Sequence, residues 1–264
     1  MDVNWFYPLA STLVVSLIAL VGILFLAFST EMLTRIIFVL VSFAVGALFG
    51  NVFFHLLPES YHLIDSHLTI AVLVLAGLLT LFVLEKFLHW HHDHKVTNNH
   101  KSHHAPYGYI SLFADGFHNF TDGILIAAGW MASPEIGIAT TLAVISHEIP
   151  QEISDYAILI HAGFSRKRAL WLNFYAACAA LAGTLITLSL GSIVHGLSNY
   201  ILPFAAGGFI YLAGSDLIPE LHKDKSRKNA LIQLAAIFAG LLLMYIISNG
   251  HSHDIHIHGA NCQH

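Results

Sequence analysis

Eight stretches of the chain are apolar over about 20 residues or more: 7–28, 36–57, 68–89, 107–131, 135–161, 169–190, 198–221 and 229–248. Each is long enough, at 1.5 Å per helical residue, to cross a hydrocarbon core of about 30 Å. The runs are too long and continuous for barrel strands, which alternate over roughly 10 residues. The pattern predicts eight transmembrane helices, here TM1 to TM8. TM4 and TM5 are the least simple, because polar residues interrupt them most. "FHNFTDG" (117–123) breaks TM4 and "SHEIPQE" (146–152) breaks TM5.

Composition agrees with the pattern. The chain of 264 residues is 56% hydrophobic and only 10% charged, against about 25% charged in a soluble domain. TM1 has no basic residue before it and no small-residue cleavage site after it, so it reads as a retained helix. Cys178 and Cys262 suggest neither a disulfide framework nor a paired-cysteine metal site.

The 11 Lys and Arg residues fall at alternate connections. Arg35 lies between TM1 and TM2. Lys86, Lys95 and Lys101 lie at or in the TM3–TM4 loop. Arg166, Lys167 and Arg168 join TM5 to TM6, and Lys223, Lys225, Arg227 and Lys228 join TM7 to TM8. The positive-inside rule places these loops in the cytoplasm and both termini outside.

An internal repeat follows from the same topology. "FAVGALFGNVFFHLLPE" (43–59) and "FAAGGFIYLAGSDLIPE" (204–220) share Phe, Ala, Gly, Leu, Pro and Glu without gaps, and His55 aligns with Asp216. TM2 runs outward and TM7 inward, so one phrase closes helices on opposite faces of the membrane. Inverted repeats of this kind are a transporter design with the substrate site near the midplane. The expected fold is therefore an all-α membrane protein in a 3+2+3 arrangement, with TM1–3 and TM6–8 as inverted repeats around TM4–TM5. The units are 1–89 (first repeat), 90–106 (cytoplasmic His-rich loop), 107–161 (TM4–TM5), 162–248 (second repeat) and 249–264 (extracytoplasmic His-rich tail).

The polar residues of TM4 and TM5 form two stripes. Asp115, His118, Asn119 and Asp122 fall at i, i+3, i+4 and i+7, on one helix face. His147, Glu148, Gln151, Glu152 and Asp155 form a second face on TM5. The two helices meet at the short turn "ASPE" (132–135). Counting roughly 21 Å back along each arm puts Asn119 and His147/Glu148 at similar depth. A charge at a helix centre costs about 2.5–3.5 kcal/mol. The five carboxylates Asp115, Asp122, Glu148, Glu152 and Asp155 therefore need compensation by protons, water or bound cations. Imidazole and carboxylate together suit divalent transition metals. Pro150 lacks an N–H and frees the Ser146 carbonyl.

These residues resemble the ZIP family of divalent-metal transporters. "HNFTDG" is similar to the family's TM4 pattern, and "HEIPQE" resembles the HEXPHE pattern of the histidine-rich LIV subfamily. "EISDYAILI", "AGFSRKRAL" and "HLLPE" agree with it as well. The resemblance implies inward movement of zinc, or of Fe2+, Mn2+ or Cd2+, through a two-metal centre by alternating access. By position, it assigns His118, Asp122, His147 and Gln151 to one metal site. It assigns Asn119 and Glu148 to the second, with Asp122 bridging and Asp216 reaching in. Gln151 departs from the subfamily pattern, which has His there.

The remaining polar residues suggest a route: His55 and Glu59 at the outer mouth, Asp216 and Glu220 at the inner. Glu152, on the TM5 stripe, joins the candidate metal ligands. The His-rich tracts 89–104 and 251–264 are compositional candidates for metal binding. An intramembrane zinc-dependent hydrolase is the alternative reading, because "HEIPQE" approaches HExxH; the second His of that motif is Gln151 here. The expectation is a transporter, not an enzyme, integral to the cell (inner) membrane. It needs no prosthetic group and no nucleic acid; its partners are the metal ion and the lipid bilayer. Small residues on TM2 and TM7 leave a homodimer open.

Overall fold

The computed structural model describes residues 4–26, 29–93, 104–194, 196–223 and 227–249. Most of the His-rich loop and tail lies outside these residues. Among the described residues the secondary structure is helical throughout, in eight rods. The first is α1 (Phe6–Ile18), which tightens into a 3-10 segment over Ala19–Leu26. The second joins α2 (Thr30–Asn51) and α3 (Leu57–Leu63) through a π-turn at Val52–Leu56. Single helices follow: α4 (His67–Asp93), α5 (His104–Ala132) and α6 (Pro134–His161). The sixth rod is α7 (Arg166–Ala177) and α8 (Ala179–Ile193), broken at Cys178. The seventh is α9 (Leu197–Tyr211) and α10 (Ile218–Leu221), joined by a π-turn at Leu212–Leu217. The eighth is α11 (Arg227–Asn249).

Local chemistry sets the breaks. The Ser133 hydroxyl accepts the Ile136 N–H, and Pro134 occupies the first turn of α6, so one residue separates α5 from α6. Such a cap satisfies an otherwise orphaned backbone donor. At the far end of α6, Gly163 adopts φ +88° and the Phe164 N–H donates back to Leu159, a Schellman stop.

The two π-turns share a cause. Pro58 and Pro219 each sit one residue beyond a π-type bond, Leu57 N–H to Val52 O and Ile218 N–H to Ala213 O. Proline cannot donate to the carbonyl four residues back. The Phe54 carbonyl, which Pro58 would otherwise have served, accepts the Ser248 hydroxyl of α11 at 3.3 Å. "HLLPE" was expected to close TM2. Instead the wider turn absorbs the proline and the rod continues to Leu63, whereas the matching rod ends soon after Pro219, at Leu221.

Five described helical spans are long and apolar enough to cross a membrane: Glu31–Leu63, His67–Leu84, Arg166–Ile193, Leu197–Leu221 and Asn229–Asn249. Phe6–Gly22 is a shorter apolar helix. Helices α5 and α6, of 29 and 28 residues, have the length; their polar stripes lower their apolar character. Both pack at the centre. Helix α5 lies against α6, α7, α8 and α9, and α6 lies against α1, α2 and the 3-10 segment.

Glycines set the closest helix seams, and the seams come in matched pairs. A Cβ on Gly46 of α2 would strike the Ile237 carbonyl of α11, and one on Gly240 of α11 would strike the Phe43 carbonyl of α2. Likewise Gly207 of α9 abuts the Val74 carbonyl of α4, and Gly77 of α4 abuts the Phe204 carbonyl of α9. Gly46 and Gly207 occupy equivalent places in the aligned segments, as do Phe43 and Phe204. Gly22, in the 3-10 segment, packs on Tyr156 of α6, while Gly183 of α8 packs on Phe120 of α5.

Candidate metal centre

The stripes of α5 and α6 face each other. His118 Nε2 and His147 Nε2 are 3.3 Å apart. Asp122 Oδ2 lies 3.2 Å from His147 Nε2 and 3.8 Å from His118 Nε2. Glu148 Oε1 lies 3.3 Å from His118 Nε2 and 3.6 Å from His147 Nε2. One ligand atom from each of these four residues falls within 4.8 Å of all the others. Two imidazole nitrogens and two carboxylate oxygens suit zinc and related divalent metals.

The surroundings orient the ligands. His147 Nδ1 is 3.0 Å from the Ala143 carbonyl. A carbonyl only accepts, so Nδ1 donates to it, and Nε2 is the ring nitrogen turned towards the other three ligand atoms. This is the outer hydrogen bond typical of a metal-binding histidine. Asp122, His147 and Glu148 are fully buried, while the His118 side chain keeps 18% exposure. Neither Glu148 oxygen receives a hydrogen bond. A buried carboxylate in that state needs a positive partner.

A family model described as "ZIP Zinc transporter" matches residues 3–109 and 105–248. The chain belongs to the ZIP zinc transporter family. It is 34% identical over 223 residues to "Zinc transporter ZIP13" of Pongo abelii, covering 79% of this chain and 66% of that protein. It is 29% identical over 303 residues to "Zinc transporter ZIP13" of Danio rerio, covering 92% and 87%. It is 40% identical over 149 residues to "Zinc transporter SLC39A7" of Homo sapiens, covering 54% and 32%. The chain thus spans just under two thirds of the first relative and about a third of the last. These relatives are named as transporters, not hydrolases.

The other sequence candidates of this ZIP chain are not among the four His and carboxylate residues that converge. Asn119 is buried one turn from Asp115, and its Nδ2 donates to Asp115 Oδ1 at 2.8 Å. Gln151 is half-buried one turn beyond His147. Glu152 is buried and accepts the Asn173 amide of α7. His55 is buried in the first π-turn, with neither ring nitrogen hydrogen-bonded. Glu59 is half-buried in α3, and Asp216 is exposed in the second π-turn. Glu220 is exposed and pairs with Lys223. Asp155 accepts the Ser111 hydroxyl at 3.4 Å.

Asn173 was not anticipated. It is an amide in the otherwise apolar run "LNFYAACAALAG" (172–183), and that isolation was the available signal. Asn51 was missed in the same way. It is buried on α2, one turn before His55, and its Nδ2 donates to Thr140 Oγ1 of α6 at 3.4 Å.

Proposed function

We propose that this ZIP-family chain carries a divalent transition-metal ion, zinc foremost, across the membrane into the cytoplasm. The observation that carries the reading is the convergence of His118, Asp122, His147 and Glu148 at the buried centre of the helix pack. A dehydrated dication there meets two imidazoles and two carboxylates, which offset its charge. The names of the relatives support zinc as the cargo.

Movement is by alternating access between two inverted halves, α1–α4 and α7–α11, around α5 and α6. Three features support this: the paired glycine seams, the two proline-linked π-turns and the aligned segments 43–59 and 204–220. The basic connections face the cytoplasm and both termini face outward, in the cell (inner) membrane. His55 and Glu59 then lie towards the outside, and Asp216 towards the inside. A second ion beside the first takes Asn119 and Glu148 as its ligands, with Asp122 bridging and Asp216 reaching in.

Zinc entry into proteoliposomes loaded with a fluorescent chelator tests the proposal. Wild-type protein is expected to raise the signal above protein-free vesicles, and His147→Ala with Glu148→Ala to abolish the difference. Unchanged uptake in that variant sinks the assignment.

A further inference from the structure

The rod formed by α7 and α8 runs for 28 residues, Arg166–Ile193, and is apolar enough to cross a membrane. At 1.5 Å per residue it is about 42 Å long, against a hydrocarbon core of about 30 Å. Its outward side is apolar and exposed from Trp171 and Tyr175 through Leu185 and Leu190 to Ile193. Counting a core length of about 20 residues back from Ile193 reaches Asn173. Trp171 then lies at the edge of the hydrocarbon, where interfacial aromatic rings sit. Arg166, Lys167 and Arg168 lie about 4–8 Å beyond it, at the level of the lipid phosphates.

The charge here is unbalanced. No Asp or Glu occurs between Asp155 and Asp216, whereas this stretch carries three basic residues, all exposed. At two other basic connections a carboxylate is at hand: Arg35 pairs with Glu31, and Lys223 with Glu220. Neither Arg166 nor Lys167 is in an ion pair among the described residues. Arg168 is held differently. Its guanidinium donates to the Tyr109 hydroxyl at 2.7 Å and lies 5.1 Å over the Phe164 ring, which Tyr109 meets edge-on. Both partners are neutral, so the cation is fixed in place without being neutralised, and its remaining N–H donors stay available.

We infer that the start of α7 is a binding surface for an anionic phospholipid. Arg166, Lys167 and Arg168 hold the phosphate, and the acyl chain lies along Trp171 and Tyr175, whose rings are 6.1 Å apart. A zwitterionic lipid offers the same chains but brings an ammonium that the patch repels. Free phosphate offers the charge but nothing for the aromatic side. Orientation alone calls for basic residues in this connection; it does not call for them to lack acids or to stand over exposed rings. The lipid also reaches the interior through α7, because Asn173, two residues on from Trp171, donates to the Glu152 carboxylate of α6. The binding itself does not rest on the transport reading.

The test uses the full-length protein in phosphatidylcholine vesicles with a minor share of lipid brominated on its chains, and tryptophan fluorescence as the readout. Brominated phosphatidylglycerol is expected to quench more than brominated phosphatidylcholine at equal mole fraction, and Trp171→Phe to remove the excess. Arg166→Gln with Lys167→Gln should raise the phosphatidylglycerol fraction needed for half-quenching about fivefold for each charge lost. Arg166→Lys with Lys167→Arg, which keeps the charge, and Arg35→Gln, whose charge is already paired, should leave it unchanged. The excess should also shrink as salt is raised, so the test holds even where the neutralised variant fails to fold. Equal quenching by the two lipids, or an excess indifferent to salt, overturns the inference. So does a preference that survives Arg166→Gln with Lys167→Gln, or one that Arg35→Gln weakens equally, which is attraction by overall charge only. Displacement of the lipid by millimolar inorganic phosphate makes free phosphate the occupant and overturns it as well.

Discussion

Replacing Gly46 by alanine puts a methyl group against the backbone of α11. The added Cβ would lie 2.8 Å from Ile237 C and 3.0 Å from its Cα, and closer still to the carbonyl oxygen. A relaxed carbon contact needs about 3.5–4.0 Å. Backbone cannot rotate away as a side chain can, so α2 and α11 must separate by roughly 1 Å. A gap of that size forfeits a quarter to a half of the dispersion energy of each facing pair. Overpacking of this kind costs about 1–3 kcal/mol. At about 2–4 °C per kcal/mol for a chain of this length, the unfolding midpoint in detergent should drop measurably.

The matched seams sharpen this expectation. Gly207→Ala should cost about as much as Gly46→Ala, because it meets the Val74 carbonyl carbon at 2.8 Å and Leu78 N at 2.9 Å. Gly46→Ala combined with Gly240→Ala should be less than additive, because both open one seam. Gly46→Ala combined with Gly77→Ala should be close to additive, because the seams are separate. Gly214→Ala is the control: nothing lies within 4 Å of its added Cβ, so it should stay within about 1 kcal/mol of wild type. The readout is thermal unfolding followed by gel filtration or intrinsic fluorescence. Equal midpoints for wild type, Gly46→Ala and Gly207→Ala would refute the packing argument, as would a Gly214→Ala loss as large as theirs.

Three further outcomes are expected. Ser133→Ala removes the cap of α6 and should cost about 1 kcal/mol, read as a lower unfolding midpoint. Arg35→Ala breaks the exposed 2.7 Å pair with Glu31 and should change stability by no more than about 0.5 kcal/mol. Gln151→His places an imidazole where the LIV pattern has one; it should tighten zinc binding in a competition titration, and an unchanged affinity would count against Gln151 as a ligand position.

The helices, their number and the α5–α6 turn were legible because they follow from run length and from "ASPE", both local features. The pairing of His118 with His147 was legible in the family resemblance, while the count from the tight turn put Asn119 and His147/Glu148 at similar depth. Three features were not. The π-turns depend on how each rod accommodates Pro58 or Pro219, and the proline alone suggested a helix end. Glu148 stands among the imidazoles because of the rotation of α6 against α5, which stripe spacing leaves undetermined. Asn173 and Asn51 are single amides whose partners, Glu152 and Thr140, lie on other helices. Nothing in the local pattern names a partner across a seam.

Zinc anomalous scattering from crystals of the metal-loaded protein tests the central claim most directly. The account predicts a peak between α5 and α6, about 2.0–2.2 Å from His118 Nε2, Asp122 Oδ2, His147 Nε2 and Glu148 Oε1 once they close on the ion. Peaks elsewhere with none between these two helices would contradict it.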